Sequence, residues 1–322
     1  MKSVFAVVGG GRWGRVILSV LAGMKIPFDR IVCVSQFNAQ ILIENAEKFK
    51  GSCAFSVVSS LDELFRNYDV KAAVVVNKAE QHYKTALHLI ERHVPILVEK
   101  PVVLLVEEAR ILVQKASRMG ICLVPGLSYR FCSYLHAFAK KIAQQGKKPR
   151  NFLIDWADPK GELRYGEAKQ YDPKIDVAQD VMPHIWSIFS TLFDSAPIRI
   201  DNCLKTVGAD AATFCVCVEG RAEGTVVLER NATARSRKVI LEYEEEILSL
   251  DFAKEPGIIK MGKETEVGDS NWSSNPGPLR KQLEYFLSLL DREVIIQNDL
   301  KACEDSVIFS EKASSLLMAF KA

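Results

Sequence analysis

Residues 4–21 constrain the fold more than any other stretch of the chain. Val4-Phe5-Ala6-Val7-Val8 is an apolar run with the length of a buried strand. Gly9, Gly11 and Gly14 follow at the spacing G-x-G-x-x-G, and Trp13, Val16, Ile17, Val20 and Leu21 then recur at helical spacing. The order strand, glycine turn, amphipathic helix is the opening of a dinucleotide-binding unit. The first glycine lets the strand turn into the helix, the second leaves room for a pyrophosphate against the backbone, and the third lets helix and strand pack closely. The free N–H groups of the first helical turn face the anion. Arg12 and Trp13 lie in that turn and join the glycines as candidate cofactor contacts.

The strands that follow extend this unit. Ile31-Val32-Cys33-Val34, Val70–Val76, Pro95-Ile96-Leu97-Val98 and Ile121-Cys122-Leu123-Val124 are short apolar runs, separated by helical patterns over 39–50, 60 onward, 83–90 and 109–116. Ser60 reads as a helix cap, with Glu63 three residues on. Strands alternating with helices predict a parallel, doubly wound sheet over residues 1–124. From residue 125 the pattern changes. A helix is expected over 134–145, strand character begins at Phe152-Leu153-Ile154-Asp155-Trp156, and a polar loop-rich stretch covers 158–176. A helix follows from about Asp180 to Phe193. Strands at 198–206, 213–219, 224–230, 238–244 and 247–252 come with no helices between them, which predicts a mostly antiparallel sheet. Residues 262–278 read as a loop, and helices are expected at 279–290 and over the last twenty residues. The fold class is therefore α/β: a Rossmann domain (1–124) followed by an α+β domain (125–322) with an open, mostly antiparallel sheet.

Composition narrows the function classes. Lys plus Arg is 42 against 40 Asp plus Glu, a net charge of +2 over 322 residues, which argues against a broad basic surface for nucleic acid. No apolar run approaches the roughly 20 residues that span a bilayer, and the N-terminal run is too short for a secretory signal. The eight cysteines are scattered without a C-x-x-C pair. Cys215 and Cys217 share a strand face, but no second Cys or His pair stands near them, so no metal site is expected and a reduced, cytoplasmic setting fits.

The candidate chemistry gathers at a few positions. Lys100 sits between Glu99 and Pro101 at the carboxyl end of a parallel strand, the edge where such sheets bind ligands. Asn77 and His82 follow another strand at the same edge. Ser35 and Gln36 stand where an NAD-binding fold carries a carboxylate for the ribose 2′-hydroxyl; its absence permits a 2′-phosphate, so NADP is favoured within NAD(P), although no Arg follows Ser35 to grip that phosphate. Asp180 and His184 lie four apart and form a polar stripe with Ser187 and Thr191 on a helix that buries Ile185, Ile188, Phe189, Leu192 and Phe193. Because Pro183 is best tolerated in a first turn, the helix is expected to start near Asp180, with Asp180 as its cap. His184 is a candidate proton carrier. Arg130, Trp156 and Arg164 are candidate substrate contacts.

Taken together, Gly9–Gly14, Glu99-Lys100-Pro101, Tyr129-Arg130-Phe131 and Asp180-Val181-Met182-Pro183-His184 resemble the Gfo/Idh/MocA family, the glucose–fructose oxidoreductase and inositol dehydrogenase group, over nearly the whole chain. The resemblance implies hydride transfer between a nicotinamide and a sugar, nucleotide sugar, cyclitol or related small molecule. It also implies association through the antiparallel sheet into a homodimer or homotetramer. By this analogy Lys100 contacts the reacting hydroxyl and His184 acts as acid/base with Asp180 nearby; either Lys100 or His184 is then the base. The sequence departs from the family pattern at Met182, where D-x-G-x-H has its glycine, at Ser187, where an acidic residue is common, and at Asn77-Lys78, where Thr-Pro is often found. These departures leave open a nicotinamide-binding sensor without turnover, or an imine or enal reductase on the same fold.

Overall fold

The computed structural model describes residues 3–44, 53–164, 167–168, 170–290 and 296–321. Its first sheet is parallel and contains β1 (Ser3–Val8), β2 (Arg30–Val34), β3 (Ala54–Val58), β4 (Asp69–Val75), β5 (Ile96–Glu99) and β6 (Leu123–Gly126), in the order β3-β2-β1-β4-β5-β6. The order reverses between β1 and β4, and in open α/β sheets that switch point is where ligands bind, at the strands' carboxyl ends. Helices α1 (Arg12–Ala22), α2 (Ala39–Glu44), α3 (Leu61–Asn67), α4 (Ala79–Glu91) and α5 (Val106–Met119) make the crossovers. Residues 45–50 of the helix expected over 39–50 lie outside the described residues.

Both faces of this sheet are buried, which is why its strands read as continuous apolar runs rather than as alternating patterns. Val4, Ala6 and Val8 pack with Leu89, Ile90 and Leu112 on one side. Phe5 and Val7 pack with Ile17, Leu18 and Leu21 on the other. Helices from the far end of the chain complete the two layers. Leu283, Phe286 and Leu287 of α8 (Pro278–Leu290) join the α1 side, and Leu300, Cys303 and Val307 of α9 (Gln297–Lys321) join the α4–α5 side. The chain accordingly divides into two compact units, residues 1–126 with 279–307, and residues 127–278 with 308–322.

In the second unit, α6 (Ser133–Gln144) precedes β7 (Asn151–Pro159), a two-stranded ladder of β8 (Leu163–Arg164) and β9 (Glu167–Ala168), and α7 (Val177–Leu192). Then follow β10 (Ile198–Val207), β11 (Ala211–Val218), β12 (Ala222–Ala232), β13 (Ser236–Glu242), β14 (Ile247–Asp251), β15 (Ile258–Met261) and β16 (Glu264–Val267). The eight strands run β10-β11-β12-β7-β13-β14-β15-β16. All neighbours are antiparallel except β12 and β7.

Two local expectations change. Residues 262–278 are not wholly loop: Glu264–Val267 pairs with Ile258–Met261 through a turn at Gly262, whose φ is 56°. All four residues of β16 are exposed, so this edge strand has no buried face to print an apolar alternation. Helix α7 starts a turn earlier than expected. Its cap is Asp176, whose carboxylate accepts from the Gln179 N–H while the Gln179 side chain accepts from the Asp176 N–H. Asp180 is therefore inside the first turn, and Pro183 lies in the helix interior.

Candidate functional site

The glycine loop is shaped by what a side chain would strike. A Cβ on Gly14 would lie 1.9 Å from the Gly9 carbonyl oxygen. Gly9 has φ +127°, and a Cβ there would lie 2.5 Å from the Asn77 nitrogen. These two glycines let α1 and β4 close onto the loop, whereas a Cβ on Gly11 would meet nothing within 4 Å. That open space lies at the N-cap of α1, whose first turn carries no acidic residue and receives no side-chain cap. N–H groups uncapped by side chains, beside a gap bounded by backbone, fit a pyrophosphate.

The residues that end β2 support the same loop. Ser35 is buried and its hydroxyl accepts from the Asn38 N–H at 3.3 Å, while the Asn38 amide donates to the Gly10 carbonyl at 3.0 Å. Gln36 is exposed beside them. Asn38 carries no motif of its own in the sequence. Only the fold brings it 28 positions back to the glycine turn.

Lys100 is half-buried immediately after β5, on a cis peptide bond to Pro101. Asn77 donates from its amide to the Thr85 hydroxyl at 2.9 Å. His82, 2% exposed, faces the Pro101 carbonyl at 2.8 Å through Nδ1 and the Asn77 carbonyl at 3.1 Å through Nε2. Burial lowers its pKa, and a neutral imidazole donates to one of these oxygens only. His82 thus ties the end of β4 to the Lys100–Pro101 turn through backbone carbonyls.

Glu99 is the least expected member of this group. Its carboxyl is buried and accepts from the Trp13 indole N–H and the Lys100 N–H, linking the turn of α1 to the end of β5. Burial pushes its pKa up from 4.5 to about 7 against the opposing pull of those bonds and the Lys100 charge. The raised value favours the protonated acid in the folded state. Its stabilising contribution is therefore complete below about pH 4.5 and is lost as the pH rises through about 7. A rise from 4.5 to about 7 corresponds to about 3 kcal/mol. Glu99→Gln keeps an acceptor for Trp13 and removes the titration. Its stability relative to the unchanged protein is expected to improve by several degrees in melting temperature between pH 5 and pH 8. Parallel thermal melts that stay the same distance apart at both pH values would refute this.

In the second unit, His184 on α7 is packed among aromatic rings. The Trp156 ring lies 5.4 Å from it at an interplanar angle of 20°, and Tyr129 meets it edge-on at 5.0 Å. Trp156 is 3% exposed, and the Arg237 guanidinium sits 3.6 Å over its ring. Arg237 is itself 1% exposed and pairs with the equally buried Asp158. Asp180 turns toward Arg230, 4.0 Å away, whose guanidinium also donates to the Ile175 and Ala209 carbonyls. Ser187 is fully buried and donates to the His184 carbonyl at 2.8 Å. Arg130 lies in a 3-10 turn over Ser128–Phe131, beside Tyr129. Arg164 belongs to β8. None of the eight cysteines is in a disulfide; five are buried, while Cys53, Cys215 and Cys217 are half-buried. Among the described residues no cluster of His, Cys, Asp and Glu could hold a metal, and no helix is long and apolar enough to cross a membrane.

Strand order, glycine loop and ligand edge define a nucleotide-binding Rossmann fold. Residues 4–127 match the GFO_IDH_MocA model, described as the oxidoreductase family with the NAD-binding Rossmann fold. No curated protein sequence matches the chain. Among solved structures, UDP-N-acetylglucosamine 3-dehydrogenase GnnA from Acidithiobacillus ferrooxidans aligns over 99% of both chains, with 21% identity and a TM-score of 0.74. A 3-ketoreductase from Actinomadura kijaniata, in complex with TDP-benzene and NADP, aligns over 97% of this chain and 96% of its own, with 13% identity and a TM-score of 0.74. GenD2 from gentamicin A biosynthesis, in complex with NAD, aligns over 98% of this chain and 94% of its own, with 18% identity and a TM-score of 0.76. The two-unit fold is thus common to all three.

Proposed function

We propose that the protein is an NAD(P)-dependent oxidoreductase that transfers a hydride between nicotinamide and an alcohol carbon of a sugar, nucleotide sugar, cyclitol or related small molecule. The observation that carries this reading is Lys100: a half-buried lysine at the ligand edge of β5, next to a carboxyl pinned to Trp13 of the pyrophosphate turn. A module that only holds a nucleotide needs the glycine loop but has no use for that lysine. The solved relatives add support, since their names are those of a sugar-nucleotide dehydrogenase and a ketoreductase.

In this reading Gly9, Gly11, Arg12, Trp13 and Gly14 hold the pyrophosphate. Ser35 and Gln36 meet the adenosine ribose, with NADP preferred for want of a carboxylate there. When bound, the nicotinamide supplies the hydride acceptor or donor. The chain's part is proton handling and positioning. Lys100 and His184 are the two candidate carriers of the substrate hydroxyl proton, one in each unit. Tyr129 and Trp156 pack on the His184 ring, and Arg230, paired with Asp210 at 2.9 Å, lies 4.0 Å from Asp180. Arg130, Trp156 and Arg164 are the substrate contacts of this scheme. The protein then works in the cytoplasm as a homodimer or homotetramer built on the eight-stranded sheet, whose β11 alternates buried and half-exposed residues.

The test has two stages. Fluorescence titration with NAD+ and NADP+ is expected to show saturable binding of at least one, tighter for NADP+. A screen of sugars, nucleotide sugars and cyclitols is then expected to raise the reduced cofactor's absorbance with one of them. Tight cofactor binding with no change across the screen in either direction would overturn the enzyme reading in favour of a sensor.

A further inference from the structure

The second unit contains a groove of about 840 Å³, a volume suited to a small-molecule ligand of roughly 300–1,000 Å³. It runs between α6, the last turn of α7 and the segments that follow each helix. Arg130, Lys147, Lys148 and Arg221 line it, against the one carboxylate of Asp194. The whole chain has a net charge of only +2, so four cations around one groove make a local positive field. Lys147, Lys148 and Arg221 are exposed, and none of the three forms an ion pair or side-chain hydrogen bond among the described residues. Their charge is available to a ligand.

The groove has a second chemical character. Ser190 and Thr191 line it, and both hydroxyls donate back to the Ser187 carbonyl, at 3.0 and 2.9 Å. With their protons spent on the helix, the two oxygens present acceptor lone pairs to whatever enters. Acceptors of this kind repel a bare phosphate and suit the hydroxyls of a sugar or ribose. A ligand that satisfies both sets of groups has phosphoryl charge at one end and hydroxyls at the other.

Position relative to His184 follows from the helix they share. Ser190 is six residues beyond His184 on α7, about 9 Å along the axis at about 1.5 Å per residue. On the adjoining turn, Tyr129 packs on His184 while its neighbour Arg130 lines the groove. We propose that this groove binds a phosphorylated glycoside or nucleotide, with Arg130, Lys147, Lys148 and Arg221 holding the phosphoryl groups and Ser190 and Thr191 accepting from its hydroxyls. The proposal deepens the oxidoreductase reading. It rests on that reading for one point, that the reacting end of the ligand lies at His184.

The experiment is calorimetric titration of the dinucleotide-loaded protein with UDP, UDP-N-acetylglucosamine and inorganic pyrophosphate, repeated on a Lys147→Glu/Arg221→Glu variant. Both substituted residues are exposed, and an unchanged thermal melt and circular-dichroism spectrum of the variant check that the fold is intact. The unchanged protein is expected to bind UDP and the UDP-sugar, more weakly as salt is raised, with the variant at least tenfold weaker for both. If pyrophosphate displaces UDP and binds as tightly, the phosphoryl site stands and its source is a free polyphosphate. If it binds far more weakly, the source is the nucleotide end of a sugar nucleotide. Absence of binding by all three anions, or equal affinity in the variant, overturns the groove assignment. Turnover of uncharged sugars and cyclitols is followed in parallel. Turnover without anion binding removes this proposal alone, and anion binding without turnover of any alcohol removes the oxidoreductase reading and the placement of the ligand's reacting end at His184, leaving the groove assignment in place.

Discussion

Lys100→Met and His184→Asn are expected to lower turnover while the dinucleotide still binds within a few-fold of its normal affinity. A positioned general acid or base contributes about 10²–10⁴-fold, or about 3–5 kcal/mol of transition-state stabilisation. Methionine keeps the length of the lysine stem beside the cis Lys100–Pro101 bond but removes the amine that would meet the substrate hydroxyl. Asparagine keeps a hydrogen-bonding side chain against Tyr129 and Trp156 but removes the proton equilibrium of imidazole. The pair of variants also separates the two candidates. The residue that is the base has a variant whose loss appears in kcat and whose pH–rate profile has lost a limb. The other residue, if it only binds the substrate hydroxyl, shows its effect mainly in KM. Stopped-flow or steady-state rates across pH, with fluorescence titration of the cofactor, provide the measurement. Full activity in both variants would remove the assignment of both.

The same residues mark how far a single sequence reaches. The first strand, glycine turn and helix were legible because three constraints coincide there: an apolar run buried on both faces, glycines at fixed offsets, and a 3.6-residue apolar repeat. β3 escaped notice because Ala54–Val58 is short and mostly half-exposed, with Ser56 in its middle. β16 escaped because an exposed edge strand has no inward face to print a pattern. The start of α7 was misplaced by the rule that keeps proline in a first turn. The capping box at Asp176 and Gln179 prevails, and Pro183 is carried by a helix whose buried face packs well enough to offset the lost bond. The apolar stripe of α8 announced a helix but carried no information about which sheet it would cover. Around the candidate site, the glycines, Lys100 and His184 could be named from spacing. Their supports could not: the bond between Trp13 and Glu99 joins residues 86 positions apart, and Arg237, just before the strand expected at 238–244, carries no sequence signal of burial. Sequence periodicity reports which face is apolar. It does not report a polar group buried by design against a partner from another strand.

Arg237→Met is expected to destabilise the second unit by about 3 kcal/mol, near the lower end of what removing one partner of a buried ion pair costs. The Arg237 and Asp158 side chains are each 1% exposed, so the substitution strands a carboxylate that water cannot reach. It also frees the Ala157 and Ser236 carbonyls, which now accept from Arg237 at 2.7 Å. Two neighbours limit the damage: the Arg235 guanidinium lies 4.0 Å from the same carboxylate, and the Trp156 indole N–H donates to it at 3.4 Å. Adding Asp158→Asn in the Arg237→Met background removes the stranded charge and is expected to recover a large part of the loss, so the pair couples strongly in a double-mutant cycle. Additive losses in urea unfolding would show that Asp158 is held by Arg235 alone. The functional consequence follows from the same geometry. With the guanidinium gone from its place 3.6 Å over Trp156, the indole that stacks on His184 loses its fixed backing. Turnover by the double variant is then expected to stay low even where stability returns, because the repaired charge balance does not restore the cation that holds the ring in place.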